Sequence, residues 1–123
     1  MSHTRKSSGF LIKQRLFIKG YLITYIETSR PYGIQMLDEL KQHFKPLGYT
    51  PNHAEIYRAL HELLDEGIVR SGQKKLTEDS YQEITIYYIR DAEKAHALKQ
   101  HIADEVRRSH KVLLRAIEDF DLH

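Results

Sequence analysis

Pro51-Asn52-His53-Ala54-Glu55-Ile56-Tyr57-Arg58-Ala59-Leu60-His61-Glu62-Leu63-Leu64-Asp65-Glu66-Gly67-Ile68-Val69 reads as a helix with both ends marked. Asn52 is a residue type whose side chain accepts from the free N–H groups of a first turn, and Glu55, three residues on, has the spacing of a capping box. Ile56, Leu60, Leu63 and Leu64 recur on one face, and a turn of about 100° per residue carries Ala54, Arg58, His61 and Glu62 to the other. Asp65-Glu66-Gly67 closes the segment with glycine just past its end. One side is therefore expected to be buried and the other to offer charge and hydrogen bonds to solvent or a partner.

Downstream, Ile68-Val69-Arg70 is followed by a polar stretch containing Gly72 and residues 77–80, then by Ile84-Thr85-Ile86-Tyr87-Tyr88-Ile89, rich in β-branched and aromatic residues. That is the pattern of a two-stranded hairpin. Upstream, Phe10, Phe17, Ile18, Tyr21, Leu22 and Tyr25 mark an amphipathic helix from Phe10 to Ile26. Ser29-Arg30-Pro31-Tyr32-Gly33 interrupts it, and Ile34, Leu37, Leu40 and Phe44 mark a second helix that ends at Lys45-Pro46-Leu47-Gly48. Helix, helix, capped helix, hairpin is the order of a winged helix-turn-helix, an α+β fold that is mainly α. There the capped helix lies in the DNA major groove and the hairpin touches neighbouring backbone. Similar arrangements also occur in proteins that bind only other proteins, so a protein-interaction module stays open as an alternative.

The last element has Asp91 in the N-cap position and runs from Ala92 to Phe120 without Gly or Pro, so one long helix is expected. Ala95, Leu98, Ile102, Val106, Ser109, Leu113, Ile117 and Phe120 form its stripe and repeat every eleven residues, which favours a nearly straight pairing. At about 1.5 Å per residue such a helix outreaches the core that the rest of the chain can build. A second copy of the chain is the simplest partner, with Leu98, Ile102, Val106, Leu113 and Ile117 as dimerisation residues; packing wholly along the first helix is the alternative. The expected organisation is a basic arm over 1–9, a winged-helix DNA-binding domain over 10–90 and a dimerisation helix over 91–123.

Composition narrows the function. With 123 residues and 41% hydrophobic content the chain supports one core. No apolar run approaches the length of a membrane span, and the first nine residues are polar and basic rather than a signal sequence, so a cytoplasmic protein with no membrane partner is expected, nucleoid-associated if it binds DNA. The absence of cysteine removes disulfide frameworks, thiol nucleophiles and Cys-based zinc sites. Net charge is only +2, yet residues 1–20 carry five bases and no acid. Such an arm either solubilises the chain or follows a phosphate backbone. His61-Glu62-Leu63-Leu64-Asp65 lacks the second histidine of a helical zinc motif, and His96 and His101 fall on different sides of their helix. No Gly-rich phosphate loop or nucleophile elbow is present. Catalysis, a metal and a cofactor are not expected.

On the exposed face of the capped helix, Arg58 can pair bidentately with guanine, His53 and His61 can bond bases or phosphates, and Tyr57 flanks them. Lys74 and Lys75 add charge near the wing tip.

Three blocks carry a resemblance: Ser8-Gly9-Phe10-Leu11-Ile12-Lys13-Gln14-Arg15, then Pro51-Asn52-His53 leading into Glu55-Ile56-Tyr57-Arg58, then Leu60 to Ile68. They resemble the replication terminator proteins of Bacillus, and the likeness runs without gaps from about Ser8 to the C-terminus. The shorter pattern from Ile56 to Ile68 also looks like PadR-like winged-helix transcription regulators, which supply the alternative function. The terminator resemblance implies a homodimer built on the long helix. Two such dimers would sit side by side on a pseudo-palindromic terminator site in double-stranded DNA and halt the replicative helicase from one direction. It further implies Lys13 and Arg15 in the N-terminal DNA contact, His53, Tyr57 and Arg58 on the major-groove helix, and Arg70, Lys74 and Lys75 on the wing. By the same resemblance Tyr32 would fall in the patch proposed to be shown to the helicase and Tyr87 in the contact between adjacent dimers. Ser29 stands where the family pattern has an acid, and Ala54 where it has threonine. These departures bear on helicase contact and on DNA sequence preference.

Overall fold

The computed structural model describes residues 9–28, 33–75, 77–79 and 81–121. Four helices and one hairpin follow in the order α1 (Gln14–Glu27), α2 (Gly33–Phe44), α3 (His53–Asp65), β1 (Val69–Lys75), β2 (Glu83–Ile89) and α4 (Ala92–Asp121). This is the winged-helix order, with a two-stranded antiparallel sheet and a long last helix.

At the centre lies α1, whose buried residues Ile18, Lys19, Leu22, Ile23, Tyr25 and Ile26 are not confined to one stripe. That is the mark of a helix enclosed by neighbours rather than lying on a surface. It starts at Gln14, not at Phe10 as the periodicity predicts, because the preceding backbone is bonded to α4. The Ile12 N–H donates to Ser109 Oγ at 2.7 Å, and Arg108 Nη1 donates to the carbonyls of Gly9 and Phe10 at 2.9 and 3.2 Å. Phe10 consequently lies outside the helix, 74% exposed.

In α2 the core residues are Met36, Leu37 and Leu40. Ile34, expected on the buried stripe, is exposed in the first turn, and Met36 is fully enclosed. A 3₁₀ turn over Lys45–Leu47 ends in Gly48 at φ +84°, a left-handed conformation that favours glycine.

The capped helix forms where its end signals predict. Asn52 Oδ1 accepts from the N–H groups of Ala54 and Glu55 at 2.8 and 3.4 Å. At the other end Gly67 takes φ +74°, its N–H donates to the Leu64 carbonyl, and the Ile68 N–H donates to that of Leu63. Both bonds of a Schellman ending are thus made, and the chain turns directly into β1. Ile56, Ala59, Leu60 and Leu63 face inward. The hairpin pairs Val69 with Ile89 at its base and Lys75 with Glu83 near its tip. Burial runs from Val69 at the base to Ile86, which pairs with Gly72 midway along, and Lys74, Lys75 and Glu83 near the tip are exposed, so the wing is anchored at one end and projects at the other.

Asp91 caps α4, its Oδ1 accepting from the Lys94 N–H at 3.0 Å. The helix has two halves. From Ala95 to Ser109 it packs along α1, with Ala95, Ile102 and Ser109 buried and Lys99 paired to Glu27 of α1 at 2.7 Å. The approach is close at Gly20, where an added Cβ would stand 3.1 Å from Ile102 Cγ2. Beyond Ser109 little among the described residues covers it: Val112, Leu113, Leu114, Ile117 and Phe120 are 38 to 77% exposed. The expected dimerisation stripe is therefore divided. Leu98 and Ile102 serve the core of their own chain, the second nearly buried, whereas Val106, Leu113 and Ile117 remain open.

Candidate nucleic-acid interface

The cap at Asn52 fixes where α3 begins, and burial of Ile56, Leu60 and Leu63 fixes its rotation. His53, Ala54, Arg58 and His61 are left on the exposed face. His53 stacks on Tyr57, ring centroids 4.8 Å apart. The wing carries Arg70, Lys74 and Lys75, all exposed. Arg70 and Tyr88 are cross-strand partners, and the guanidinium lies 4.5 Å from the ring centre. This holds the side chain by cation–π attraction against one face of the hairpin. Lys13 is exposed immediately before α1.

Three sequence-derived positions stand differently in the structure. Arg15 does not extend from the surface: its guanidinium donates to both carboxylate oxygens of Glu55 at 3.0 and 3.1 Å and to Glu62 at 2.7 Å. Glu62, expected on the exposed face of α3, is still 40% exposed but lies at the α1 side of the helix between Arg15 and Lys19, the latter at 2.8 Å. Glu55 does not complete a capping box, because its carboxylate faces Arg15 and not the start of its own helix. Lys19, only 7% exposed, also reaches Glu66 at 3.1 Å. Hydrogen bonds from Lys19 and then Arg15 hold the Glu62 carboxyl below its usual pKa, and the carboxylates raise that of Arg15. No local motif groups Glu55, Glu66 and Lys19 in the sequence. The available signal was the four-residue spacing of Arg15 and Lys19 against carboxylates seven residues apart on α3.

Tyr57 and Tyr87, for which the sequence resemblance implies separate roles, line one groove of about 760 Å³ with Gly33, Ile34, Asp38 and Ile84. Burial, then Tyr57, pushes the Tyr87 phenol up from its ordinary pKa. Tyr32 lies outside the described residues. Among the described residues no group of three His, Asp or Glu side chains is placed to hold a metal, and no helix is long and apolar enough to cross a membrane.

The family model described as "Replication terminator protein" matches residues 9–120. The chain belongs to the replication terminator protein family. It is 43% identical over 115 residues to the replication termination proteins of Bacillus subtilis (strain 168), Bacillus spizizenii and Bacillus vallismortis, covering 94% of each chain. Among solved structures it is similar to Pex from Synechococcus sp. (strain PCC 7942), with a TM-score of 0.61 at 21% identity over 75% of this chain and 81% of that one. That likeness speaks for the fold alone. The replication terminator match, by contrast, spans α1, the α3 face, the wing and nearly all of α4, so every element of the candidate interface lies within the family's boundaries.

Proposed function

We propose that the chain is a replication terminator that binds pseudo-palindromic sites in double-stranded DNA as a homodimer. It arrests replication forks in one direction by blocking the replicative helicase and performs no catalysis. The observation that carries the reading is the exposed, capped α3 face with Arg58, His53 and His61, flanked by a basic wing, in a chain that matches the family from α1 through α4. Arg58 suits bidentate readout of guanine in the major groove, and Lys13, Arg70, Lys74 and Lys75 suit phosphate contacts. Residues 10–90 form the DNA-binding unit in this reading, residues 1–9 an arm along the backbone, and the free half of α4 the dimer contact. The setting is the nucleoid.

The dimer has a definite geometry. Leu113, Ile117 and Phe120 continue the face that bears Ile102 and Val106. Beside that face, between α1 and α4, a mostly apolar groove of about 210 Å³ is lined by Phe17, Gly20, Tyr21, Thr24, Ile102, Ala103 and Val106, with Lys99 as its one charged residue. A second copy running antiparallel, with the twofold axis near residues 111 and 112, sets Ile117 against Val106 and Phe120 into that groove. The contact is thus self-complementary, as a twofold interface must be. Two α3 helices then face half-sites about one helical turn apart. Tyr32 is retained as a candidate for helicase contact and Tyr87 for contact between adjacent dimers. Polarity requires unequal half-sites, ordered filling by two dimers, or a helicase contact exposed on one side only.

The groove at Tyr57 and Tyr87 favours a second reading, a PadR-like transcription regulator with a small-molecule effector. Sequencing the chromosomal DNA that the purified protein retains distinguishes the two. Paired overlapping half-sites opposite the replication origin, which block a helicase in one orientation only, support the terminator. Single palindromes in promoters support the regulator, and no enrichment overturns both in favour of an interaction module.

A further inference from the structure

We infer that Arg15, with Lys19, is a positioning residue for DNA readout: it sets α3 through Glu55, Glu62 and Glu66 and does not itself touch DNA. This rests on the reading of α3 as the major-groove helix.

Four bonds engage the Arg15 guanidinium. Nη2 donates to Glu55 Oε1 and Oε2 at 3.1 and 3.0 Å, Nε to Oε2 at 3.4 Å, and Nη1 to Glu62 Oε2 at 2.7 Å. A guanidinium has five N–H donors in a fixed fork, so this side chain has little left to offer a phosphate. One turn along α1, Lys19 takes the other oxygen of Glu62 at 2.8 Å and Glu66 at 3.1 Å. The two cations therefore grip α3 in its first turn and again at its end. Arg58 lies three residues after Glu55 and four before Glu62, so it neighbours both gripped positions on the helix surface. A bidentate base contact tolerates displacements of only about 0.5 Å or 10–20°. Rotation of α3 within its apolar seat is what the carboxylate grips oppose. The same pairing neutralises carboxylates that would otherwise repel a phosphate backbone close to the readout face.

The test compares the wild type with Arg15→Gln, Arg15→Lys and Glu55→Gln. Affinity for a selected site and for random duplex DNA is measured across a salt series, at a temperature where circular dichroism shows every variant folded. Positioning predicts that Arg15→Gln lowers the specific-to-random ratio about tenfold, the scale of one weakened base contact. The salt slope stays unchanged. Arg15→Lys behaves like Arg15→Gln, because an ammonium cannot fork across two carboxylates. Glu55→Gln also lowers the ratio, although it frees Arg15 and removes a negative charge. A direct phosphate contact predicts the opposite set: equal losses on both DNAs, a slope smaller by about 0.9, near-normal binding by Arg15→Lys, and tighter binding by Glu55→Gln. Any of these overturns the inference. Hydrogen exchange of the α3 amides without DNA supplies a readout independent of binding: Arg15→Gln should speed it, and an unchanged rate overturns the tether whatever the DNA result. If the wild type selects no DNA sequence, the DNA reading fails and the readout role with it, whereas faster exchange would still establish the tether.

Discussion

Replacing Leu113 by glutamate strikes the proposed dimer face where the chain's own fold has least to lose. Leu113 is 45% exposed in the protomer, beyond the last residue of α4 that α1 covers. Full burial of a leucine stabilises by about 2 kcal/mol, so covering the exposed share contributes about 1 kcal/mol per copy and about twice that per dimer. With the twofold axis near residues 111 and 112, the two new carboxylates stand about 8 Å apart, and at an effective dielectric of about 20 their repulsion is about 2 kcal/mol. The combined loss of about 4 kcal/mol raises the dimer dissociation constant by about three decades. Sedimentation equilibrium from nanomolar to high micromolar protein measures it directly, and far-ultraviolet circular dichroism of the dilute variant checks that the helix remains. Association as tight as that of the wild type would refute the interface. So would a wild-type chain that is monomeric throughout the range.

Ile102→Ala, made in the Leu113→Glu background, should lower folding stability by about 2 to 5 kcal/mol in urea, because Ile102 is buried within its own chain; Ile117→Ala in that background should change little. Asn52→Ala should cost about 1 kcal/mol by removing the side-chain acceptor at the start of α3, lowering the melting temperature by about 4 °C. Glu62 has a depressed pKa in the folded chain, so its contribution is fully present above the ordinary carboxyl value of 4.5 and is lost as pH falls through the lower folded value. The stability gap between wild type and Glu62→Gln should accordingly close on acidification below about 4.5, and a gap constant with pH would count against the ion pairs. Arg58→Ala should relax base preference at one position of each half-site by about 1 to 3 kcal/mol, whereas Lys74→Ala should weaken all sequences alike, as competition binding with random duplex will show.

The readable parts of the fold were those written in contiguous residues. Asn52 and Gly67 bound α3 because caps act within a turn, and Asp91 opens α4 for the same reason. The hairpin followed from β-branched residues beside the Schellman ending. Hydrophobic spacing continues through Phe10 and so places the start of α1 too early, whereas the helix is stopped by Ser109 and Arg108, almost a hundred residues away in sequence. Periodicity gives the direction in which a side chain points, not which element receives it. The same gap explains Ile34, which has the right phase for the core but sits on an open first turn.

The candidate site shows this distinction in its charges. Arg58 and Arg15 are both arginines on helices, and the sequence offers no local reason to propose one as a reader and the other as a brace. The difference lies in partners: Arg15 meets carboxylates from a helix forty and forty-seven positions later, and these pair only once α1 and α3 have packed. The apolar stripe of α4 divides for a related reason. Its periodicity is uniform from Ala95 to Phe120, yet α1 is only fourteen residues long, about 21 Å at helical rise, and covers less than half of a thirty-residue helix. The length mismatch separates the part of the stripe that completes the core from the part that the protomer leaves exposed, where the proposed second copy would pack.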